Sequence, residues 1–319
     1  MINATEVPFR KAKHSANLKA RINTLKKFSP LYMMLLPGII YYLIYRYGPI
    51  LGTVIAFKDF SFVKGIFKSP WANPWYKHFE YFFKSPYFTR ILTNTLLISF
   101  YKLFWTTVSS LILAILLNEV RNRVFKKAVQ TITYLPHFLS WVVVYGIIHA
   151  LFSESSGVIN VAVRQINNRT IPVMTSPEFF RTLLVSSEVW KECGWGAIIY
   201  IAAISGIDPS LYEAAYIDGA NRWQRIWHIT LSGIRRTIIT VLIIKLGSIL
   251  DAGFDQVYVM YNPNVMEVGD IIDTWVYRTG LEQMSYSVAT AAGIFKSVIS
   301  LALILTVNKI ADKWGESIW

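Results

Sequence analysis

Six long blocks of apolar residues, separated by more polar segments, follow one another along the chain. A helix needs about 20 predominantly apolar residues to cross a hydrocarbon core about 30 Å thick. Six segments are long enough, and they cover residues 31–57, 92–117, 129–152, 183–207, 237–260 and 286–307. Pro37, Pro136 and Gly194 lie within them, which membrane helices tolerate because neighbouring helices satisfy the freed backbone groups. The pattern predicts an all-α integral membrane protein with about six transmembrane helices.

The composition agrees with a chain that is largely surrounded by lipid. Of its 319 residues, 54% are hydrophobic and only 16% are charged, whereas soluble domains carry about 25% charged residues. Cys193 is the only cysteine in the sequence, which excludes an intramolecular disulfide and a cysteine-rich metal site. We therefore expect membrane lipid as the surroundings and no metal site in this chain.

The basic residues indicate how the chain is oriented. The formal net charge is +13, and basic residues cluster before the first apolar block, between the second and third, and between the fourth and fifth. Because short basic flanks stay inside, we expect a multi-pass protein of the cell membrane, plasma or inner, with a cytoplasmic N-terminus and no nucleic-acid partner. Residues 1–30 would be a basic cytoplasmic arm, 31–310 the transmembrane domain and 311–319 a cytoplasmic tail. A basic segment at 58–90 falls on the outside in this arrangement.

The segment 208–236, here called the inner loop, has the pattern of two short amphipathic helices. Asp208 can cap the first helix with Pro209 at its first position, and Ser210 and Glu213 have the spacing of a capping box. Gly219 is expected to end this helix, because glycine adopts a positive φ without strain. The second helix is expected to run through Trp223, Ile226, Trp227 and Ile229.

Two locations suit the inner loop equally well from its chemistry alone. Small Ala214 and Ala215 allow another backbone to approach, while Glu213, Asp218 and Arg222 would fix the register of a helix in a partner's groove. The two tryptophans of the second helix would also suit an amphipathic element that lies on the inner leaflet. These properties leave docking to a partner and contact with lipid both open.

The inner loop also resembles a known motif. Its residues Glu213-Ala214-Ala215, Asp218-Gly219-Ala220, Ile229 and Leu231 are similar in type and spacing to the EAA motif of permease subunits of type I ABC importers. The resemblance covers most of the chain and includes YLPHFLSW at 134–141, which is similar to the third span of sugar permeases of the MalF/MalG-like type. WKECGW at 190–195, YNPNV at 261–265 and GDIIDTWVYRTGL at 269–281 resemble the branch that imports oligosaccharides derived from polysaccharides.

The resemblance implies a permease subunit that is not an enzyme and that forms half of an ATP-driven pathway for a carbohydrate, in particular an oligosaccharide from a polysaccharide. Its expected partners are a second homologous permease subunit, a dimer of ATP-binding subunits and an extracellular solute-binding protein. The sequence contains no G-x-x-x-x-G-K-[ST] motif, so ATP and Mg would be bound by the partner ATPase and no cofactor by this chain. The residues expected to couple to the ATPase, as an EAA coupling helix, are Glu213, Ala214, Ala215, Asp218, Gly219, Ala220 and Arg222.

Polar groups inside the apolar blocks are the candidates for the solute path, because each costs about 2.5–3.5 kcal/mol at a helix centre unless it faces protein or water. Glu188 and Glu192 share one helical face and could accept hydrogen bonds from sugar hydroxyls. The full set of candidates is Tyr134, Trp141, Glu188, Lys191, Glu192, Trp195, Asp251 and Lys296. The alternatives are an internal salt-bridge network for the charged residues and ordinary packing for the aromatic ones.

Other functions are compatible with parts of this pattern. A permease for another solute class would have the same architecture. A membrane enzyme could use Glu188 and Glu192 as an acid–base pair, and it would turn over a substrate without partners. A scaffold or sensor that docks an ATPase is a third alternative, and substrate uptake would survive its deletion.

Overall fold

A computed structural model gives the structure of the protein and describes residues 27–313. Within that range the chain is helical, with one isolated antiparallel bridge between Lys58 and Trp71 and no β-strand. The arm predicted for residues 1–30 and the tail predicted for residues 311–319 lie mostly outside the described residues.

The longer helices carry the architecture, and short helical turns connect them. The helices of six or more residues are α1 (Ser29–Tyr42), α2 (Lys77–Lys84), α3 (Phe88–Glu119), α4 (Arg123–Tyr134), α5 (Trp141–Phe152), α6 (Val158–Asn167), α7 (Pro177–Ser205), α8 (Pro209–Ile217), α9 (Arg235–Leu246), α10 (Phe254–Met260), α11 (Ile272–Tyr277) and α12 (Tyr286–Asp312). Segments of 3-10 helix lie at Leu51–Phe57, Leu135–Phe138 and Ile249–Asp251, and segments of π-helix lie at Leu43–Tyr47, Ile226–Leu231 and Arg278–Glu282.

The chain divides into two compact units. The first contains the described residues up to Ile55 together with Ser61–Ser69. In this unit α1 is followed without a break by further helical turns, and none of the residues of α1 is buried by protein. Its side chains are mostly apolar, so they are suited to contact with lipid.

The second unit contains Ala56–Phe60 and the chain from Pro70 onwards, and α3 and α7 are its longest packed pair. Two glycines of α7 lie where neighbouring helices come closest. A Cβ atom on Gly194 would collide with the carbonyl oxygen of Thr133 in α4, and one on Gly196 would collide with the Ser110 side chain of α3. Small residues are therefore required at both contacts, since a packed interior has no spare volume.

Three of the predicted spans lie within single helices. The segments 31–57, 92–117 and 286–307 fall inside continuous helical stretches at Ser29–Phe57, Phe88–Glu119 and Tyr286–Asp312, which are long and apolar enough to cross a membrane. Counting each of three bent helix pairs as one span raises the number to six for the described residues. The prediction of about six membrane spans is confirmed when each bent pair is counted as one span.

The prediction of one helix over residues 129–152 is wrong. Helix α4 ends at Tyr134, a 3-10 turn covers Leu135–Phe138, and α5 begins at Trp141 with a bend of 106° between the two helices. Proline lacks the N–H that a continuous helix needs, so Pro136 favours a break here. Ser140 then caps α5 by accepting a hydrogen bond from the Val143 N–H at 3.4 Å.

The predicted fifth span, residues 237–260, is also interrupted. Helix α9 ends at Leu246, and the chain bends by 47° before α10. Ala252 and Gly253 have positive φ angles of 47° and 77°, values that a continuous right-handed helix does not allow. Membrane proteins tolerate irregular backbone of this kind where it is buried in protein or lines a cavity.

A buried polar junction joins α3 to the segment before α11. The Asn94 amide donates to the carbonyl oxygens of Glu267 and Asp270, each at 3.0 Å, and its own oxygen accepts from Arg181 at 2.7 Å. The fully buried Asp270 carboxylate accepts from Arg278 at 2.8 Å. The junction thus supplies partners for side chains that lipid could not satisfy.

We predict that Gly194→Ala destabilises the folded protein by about 1–3 kcal/mol, because the added methyl group overfills the contact with α4. Gly146→Ala is the matched control, since a Cβ at Gly146, also within a helix, has no neighbouring atom within 4 Å. Thermal unfolding of the purified protein in detergent measures both. Equal unfolding temperatures for the two variants would show that the α4–α7 contact is not tightly packed.

Candidate functional site

A cavity of about 470 Å³ lies among α3, α7, α9 and the break before α10. Its lining includes most of the charges that interrupt the apolar blocks. The lining residues that matter for the chemistry of the cavity are the charged Lys102, Glu188, Glu192, Lys245 and Asp251 and the aromatic Trp195. Four of the predicted path residues, Glu188, Glu192, Trp195 and Asp251, therefore share one cavity.

Glu188 is held by a lysine of the neighbouring helix. The Lys102 ammonium lies 3.6 Å from the Glu188 carboxylate and donates to the Ala252 carbonyl oxygen at 2.8 Å. A Cβ atom on Gly253 would lie 2.5 Å from that ammonium. The positive-φ break before α10 thus provides both an acceptor for Lys102 and the space that it occupies.

Glu192 lies one turn along α7 from Glu188 and has two cationic or polar neighbours. His137 Nδ1 lies 2.9 Å from one carboxylate oxygen, and the Lys191 ammonium lies 3.2 Å from the other. Lys191 also donates to the His137 carbonyl oxygen at 2.6 Å. The 3-10 turn Leu135–Phe138, which directly precedes the bend, therefore carries His137 against α7.

Trp195 presents its ring to the same cavity. The His137 imidazole stacks on it with 4.4 Å between ring centroids and 1° between ring planes, and the Trp195 residue is 45% exposed. A supported, partly open indole can pack against an apolar face of a ligand.

Asp251 joins the cavity to α12. The Lys296 ammonium lies 2.7 Å from Asp251 and 2.8 Å from both oxygens of Asp273 in α11. Lys296 itself does not line the cavity, and it serves as the shared counter-ion of two carboxylates. Three elements that are distant in sequence are thereby joined around one ammonium group.

The predicted aromatic candidates Tyr134 and Trp141 have a different environment. Neither lines the cavity of α3, α7 and α9. Trp141 packs against the buried cluster that includes Ile98 and Leu184, and the Lys191 ammonium lies 5.6 Å from its ring centroid. Packing, the alternative considered for these rings, is what the structure shows for Trp141.

The structure supports an internal ion-pair network for the charged candidates and also places several of them on the cavity wall. Lys102, His137 and Asp273 were missed as members of this network. A charge near an apolar block needs a partner. The same argument that selected the other charged candidates therefore also applies to Lys102 and Asp273. No group of three His, Cys, Asp or Glu residues able to hold a metal ion occurs among the described residues.

The inner loop forms the two predicted helical turns. Asp208 caps α8 by accepting a hydrogen bond from the Ser210 N–H at 2.9 Å, which lowers the pKa of the Asp208 carboxyl below its ordinary value. The capping box predicted for Ser210 and Glu213 is wrong, because Asp208 rather than Ser210 is the capping residue. A capping box occurs instead at Asn221 and Gln224, at the start of the second helix.

Gly219 ends the first helix as predicted, with a φ of +78°. Helix α8 has no buried residue. Among the residues named for coupling, Glu213, Ala214, Asp218, Gly219 and Arg222 are exposed, and Ala215 and Ala220 are half-buried. Large apolar side chains are exposed beside them, with Ile217 at 84% and Trp223 at 79%.

Side-chain contacts hold the exposed loop to the rest of the second unit. Arg222 Nε lies 3.3 Å from the Glu119 carboxylate at the end of α3. The Tyr212 hydroxyl lies within 3.0 Å of the Thr230 hydroxyl, which joins the two helical turns to each other. Residues 208–231 therefore form a compact exposed knob, called the coupling knob below.

Comparisons with known proteins agree with this architecture. The sequence model of the family described as "Binding-protein-dependent transport system inner membrane component" matches residues 107–314. Protein LplB of Bacillus subtilis (strain 168) is 44% identical over 92% of this chain and 91% of its own length. The polygalacturonan/rhamnogalacturonan transport system permease protein YteP of the same organism is 43% identical over 90% of this chain and 88% of its own.

Solved structures show the same relationship. A chain of a bacterial ABC transporter involved in the import of the acidic polysaccharide alginate matches with a TM-score of 0.85 and 41% identity, over 92% of this chain and 99% of that one. A second structure, of a bacterial alginate ABC transporter in complex with an alginate pentasaccharide-bound periplasmic protein, matches with a TM-score of 0.84 and 40% identity, over 92% and 98%. The chain therefore belongs to the family of binding-protein-dependent transport system inner membrane components, and it is a multi-pass permease subunit of an ABC importer.

Proposed function

We propose that this chain forms half of the translocation pathway of an importer that carries an oligosaccharide derived from a polysaccharide. A second homologous permease would form the other half, a dimer of ATP-binding subunits would bind ATP and Mg, and an extracellular solute-binding protein would deliver the sugar. The names of the related transporters, which include polygalacturonan/rhamnogalacturonan and alginate systems, support this substrate class.

The observation that carries the coupling role is the exposure of the coupling knob. Helix α8 buries none of its residues, yet it is capped and ended at Gly219, and the second helix of the knob is tied to α3 through Arg222. An ordered element with exposed Ile217 and Trp223 favours a protein partner that covers it. We therefore propose that the knob docks into an ATP-binding subunit and not on lipid.

The proposed orientation follows from the knob. If it faces the ATPase, the inner loop is cytoplasmic, and so are the basic arm at residues 1–30 and the tail at residues 311–319. Short basic flanks favour the same orientation. The transmembrane domain would then extend over residues 31–310.

The proposed path runs along the cavity among α3, α7 and α9. Its wall carries carboxylates that can accept hydrogen bonds from hydroxyl groups and an indole ring that can pack on C–H faces. Since Glu188 and Glu192 are paired with cations, they are poor candidates for an acid–base pair, and the related proteins are transport permeases. Closure of the ATPase dimer would move α8, and alternating access would follow from that rigid-body movement.

We predict that Glu213→Lys in the assembled transporter weakens association with the ATP-binding subunits and lowers transport-coupled ATP hydrolysis by about tenfold, as expected for loss of a charged hydrogen-bond acceptor at an interface. Co-purification of the ATPase with a tagged permease and ATP hydrolysis in proteoliposomes are the measurements. Glu282→Lys, another exposed carboxylate but outside the knob, is the control.

Gly219→Pro tests the same role through the backbone, because proline holds φ near −65° and Gly219 needs +78°. Membrane insertion should remain intact for both knob variants. Normal co-purification together with normal ATP hydrolysis in Glu213→Lys and Gly219→Pro would contradict docking by the knob.

We predict that replacing Glu188 and Glu192 together by glutamine lowers oligosaccharide uptake by about tenfold or more, because hydrogen bonds to charged acceptors contribute about 1.5–3 kcal/mol each. Glutamine keeps the shape of the side chain. Glu178→Gln, an exposed position in the first turn of the same helix, is the control. Uptake of labelled oligosaccharide into proteoliposomes measures the effect, and unchanged uptake with intact assembly would exclude both carboxylates from the path.

A further inference from the structure

Lys245 differs from the other lysines around the cavity. Lys102, Lys191 and Lys296 each lie within 4 Å of a carboxylate. The Lys245 ammonium has no ion-pair or hydrogen-bond partner among residues 27–313, although its side chain lines the cavity. It is therefore the cavity cation whose three N–H donors are available to a ligand.

The carboxylates of the cavity do not serve as fixed partners of Lys245. Glu188 and Glu192 are near enough to act on it electrostatically, but Glu188 is paired with Lys102 and Glu192 with Lys191. Asp251 is paired with Lys296. A carboxylate brought by a ligand would give the Lys245 ammonium a direct ion-pair partner, which none of these carboxylates provides.

The position of Lys245 in the fold explains how a lysine is retained there. It lies in the last turn of α9, where the helix dipole favours a cation. Partly exposed surroundings in the cavity also reduce the cost of its charge. These effects offset part of the cost that burial places on the ammonium, and they leave its donors unoccupied.

Trp195 supplies the second half of a recognition site. It lines the same cavity, its ring is supported by the stacked His137, and nearly half of the residue is exposed. An acidic sugar unit presents an apolar C–H face and a carboxylate at its edge. A ring and a free ammonium in one cavity match these two features.

We propose that the cavity binds a uronic-acid unit of the transported oligosaccharide, with Lys245 pairing with the sugar carboxylate and Trp195 packing against the sugar ring. The inference rests on the proposed oligosaccharide import and narrows its substrate to acidic sugars. Lys245 acts here as a specificity-determining residue. A carboxylate of the second permease subunit is the competing partner for Lys245, and the experiment separates the two.

The test compares short oligogalacturonates and alginate oligosaccharides with the same sugars after reduction of their carboxyl groups to alcohols. Binding of labelled sugar to the detergent-solubilised transporter without its binding protein is measured by equilibrium dialysis, so that the selectivity of the binding protein does not enter. Lys245→Met is expected to weaken binding of the acidic sugars by about tenfold or more and that of the reduced sugars by less than about twofold. Lys245→Arg, which keeps the charge, is expected to retain the preference for acidic sugars.

Two further variants complete the design. Trp195→Ala is expected to weaken binding of acidic and reduced sugars alike, because it removes the ring and not the charge. Lys309→Met, an exposed lysine near the end of α12, is the control and should bind as the wild type does. An unchanged preference of Lys245→Met for acidic sugars overturns the proposal. An equal loss of binding for acidic and reduced sugars, together with weaker assembly with the second permease, also overturns it. That second result would place the ion-pair partner of Lys245 in the second permease.

Uptake by the complete transporter with its binding protein distinguishes this inference from the proposed function. Import of reduced sugars without import of acidic ones would overturn the role of Lys245 and leave oligosaccharide import intact. Absence of uptake for every oligosaccharide by an assembled, ATP-hydrolysing complex would overturn the proposed function itself.

Discussion

The compensation of charge within a largely apolar environment is the constraint on which this structure depends. A charged side chain at membrane depth is costly unless it faces protein, water or a counter-ion. Lys102, Lys191 and Lys296 meet this requirement by joining segments that are far apart in the sequence. The same pairs that satisfy the charges therefore determine how α3, α7, α11 and α12 are arranged around the cavity.

Helix α7 connects the cavity to the coupling knob. It carries Glu188, Glu192 and Trp195 on its cavity side, and only three residues separate its end from α8. Ser205 lies ten positions after Trp195 in the helix, a distance of about 15 Å along the axis at about 1.5 Å per residue. A movement imposed on α8 thus has a short connection to the groups that would contact the solute, through a bend of 71° and the last turns of α7. The Arg222–Glu119 pair adds a second connection through α3.

The features that could be predicted from the sequence are those with local physical causes. Long apolar blocks identify membrane helices, and glycine at position 219 identifies a turn that needs positive φ. The first residue of α8 followed from Asp208 and Pro209, although the capping box was assigned to the wrong pair. The likeness to EAA motifs in the inner loop indicated the family because it combines residue type with spacing over two helices.

What could not be predicted depends on contacts between distant segments. An apolar block looks the same whether it forms one helix or two helices that meet at 106°, so the location of His137 beside Glu192 was not available from periodicity. Likewise, residues 237–260 gave no indication that the chain breaks at Ala252 and leaves a carbonyl oxygen for Lys102. Both irregular segments lie next to the cavity. This location is physically consistent, because irregular backbone in a membrane needs partners other than lipid, and a polar cavity wall supplies them. The breaks that defeated the helix prediction are therefore the same features that bring the charged groups of the proposed path together.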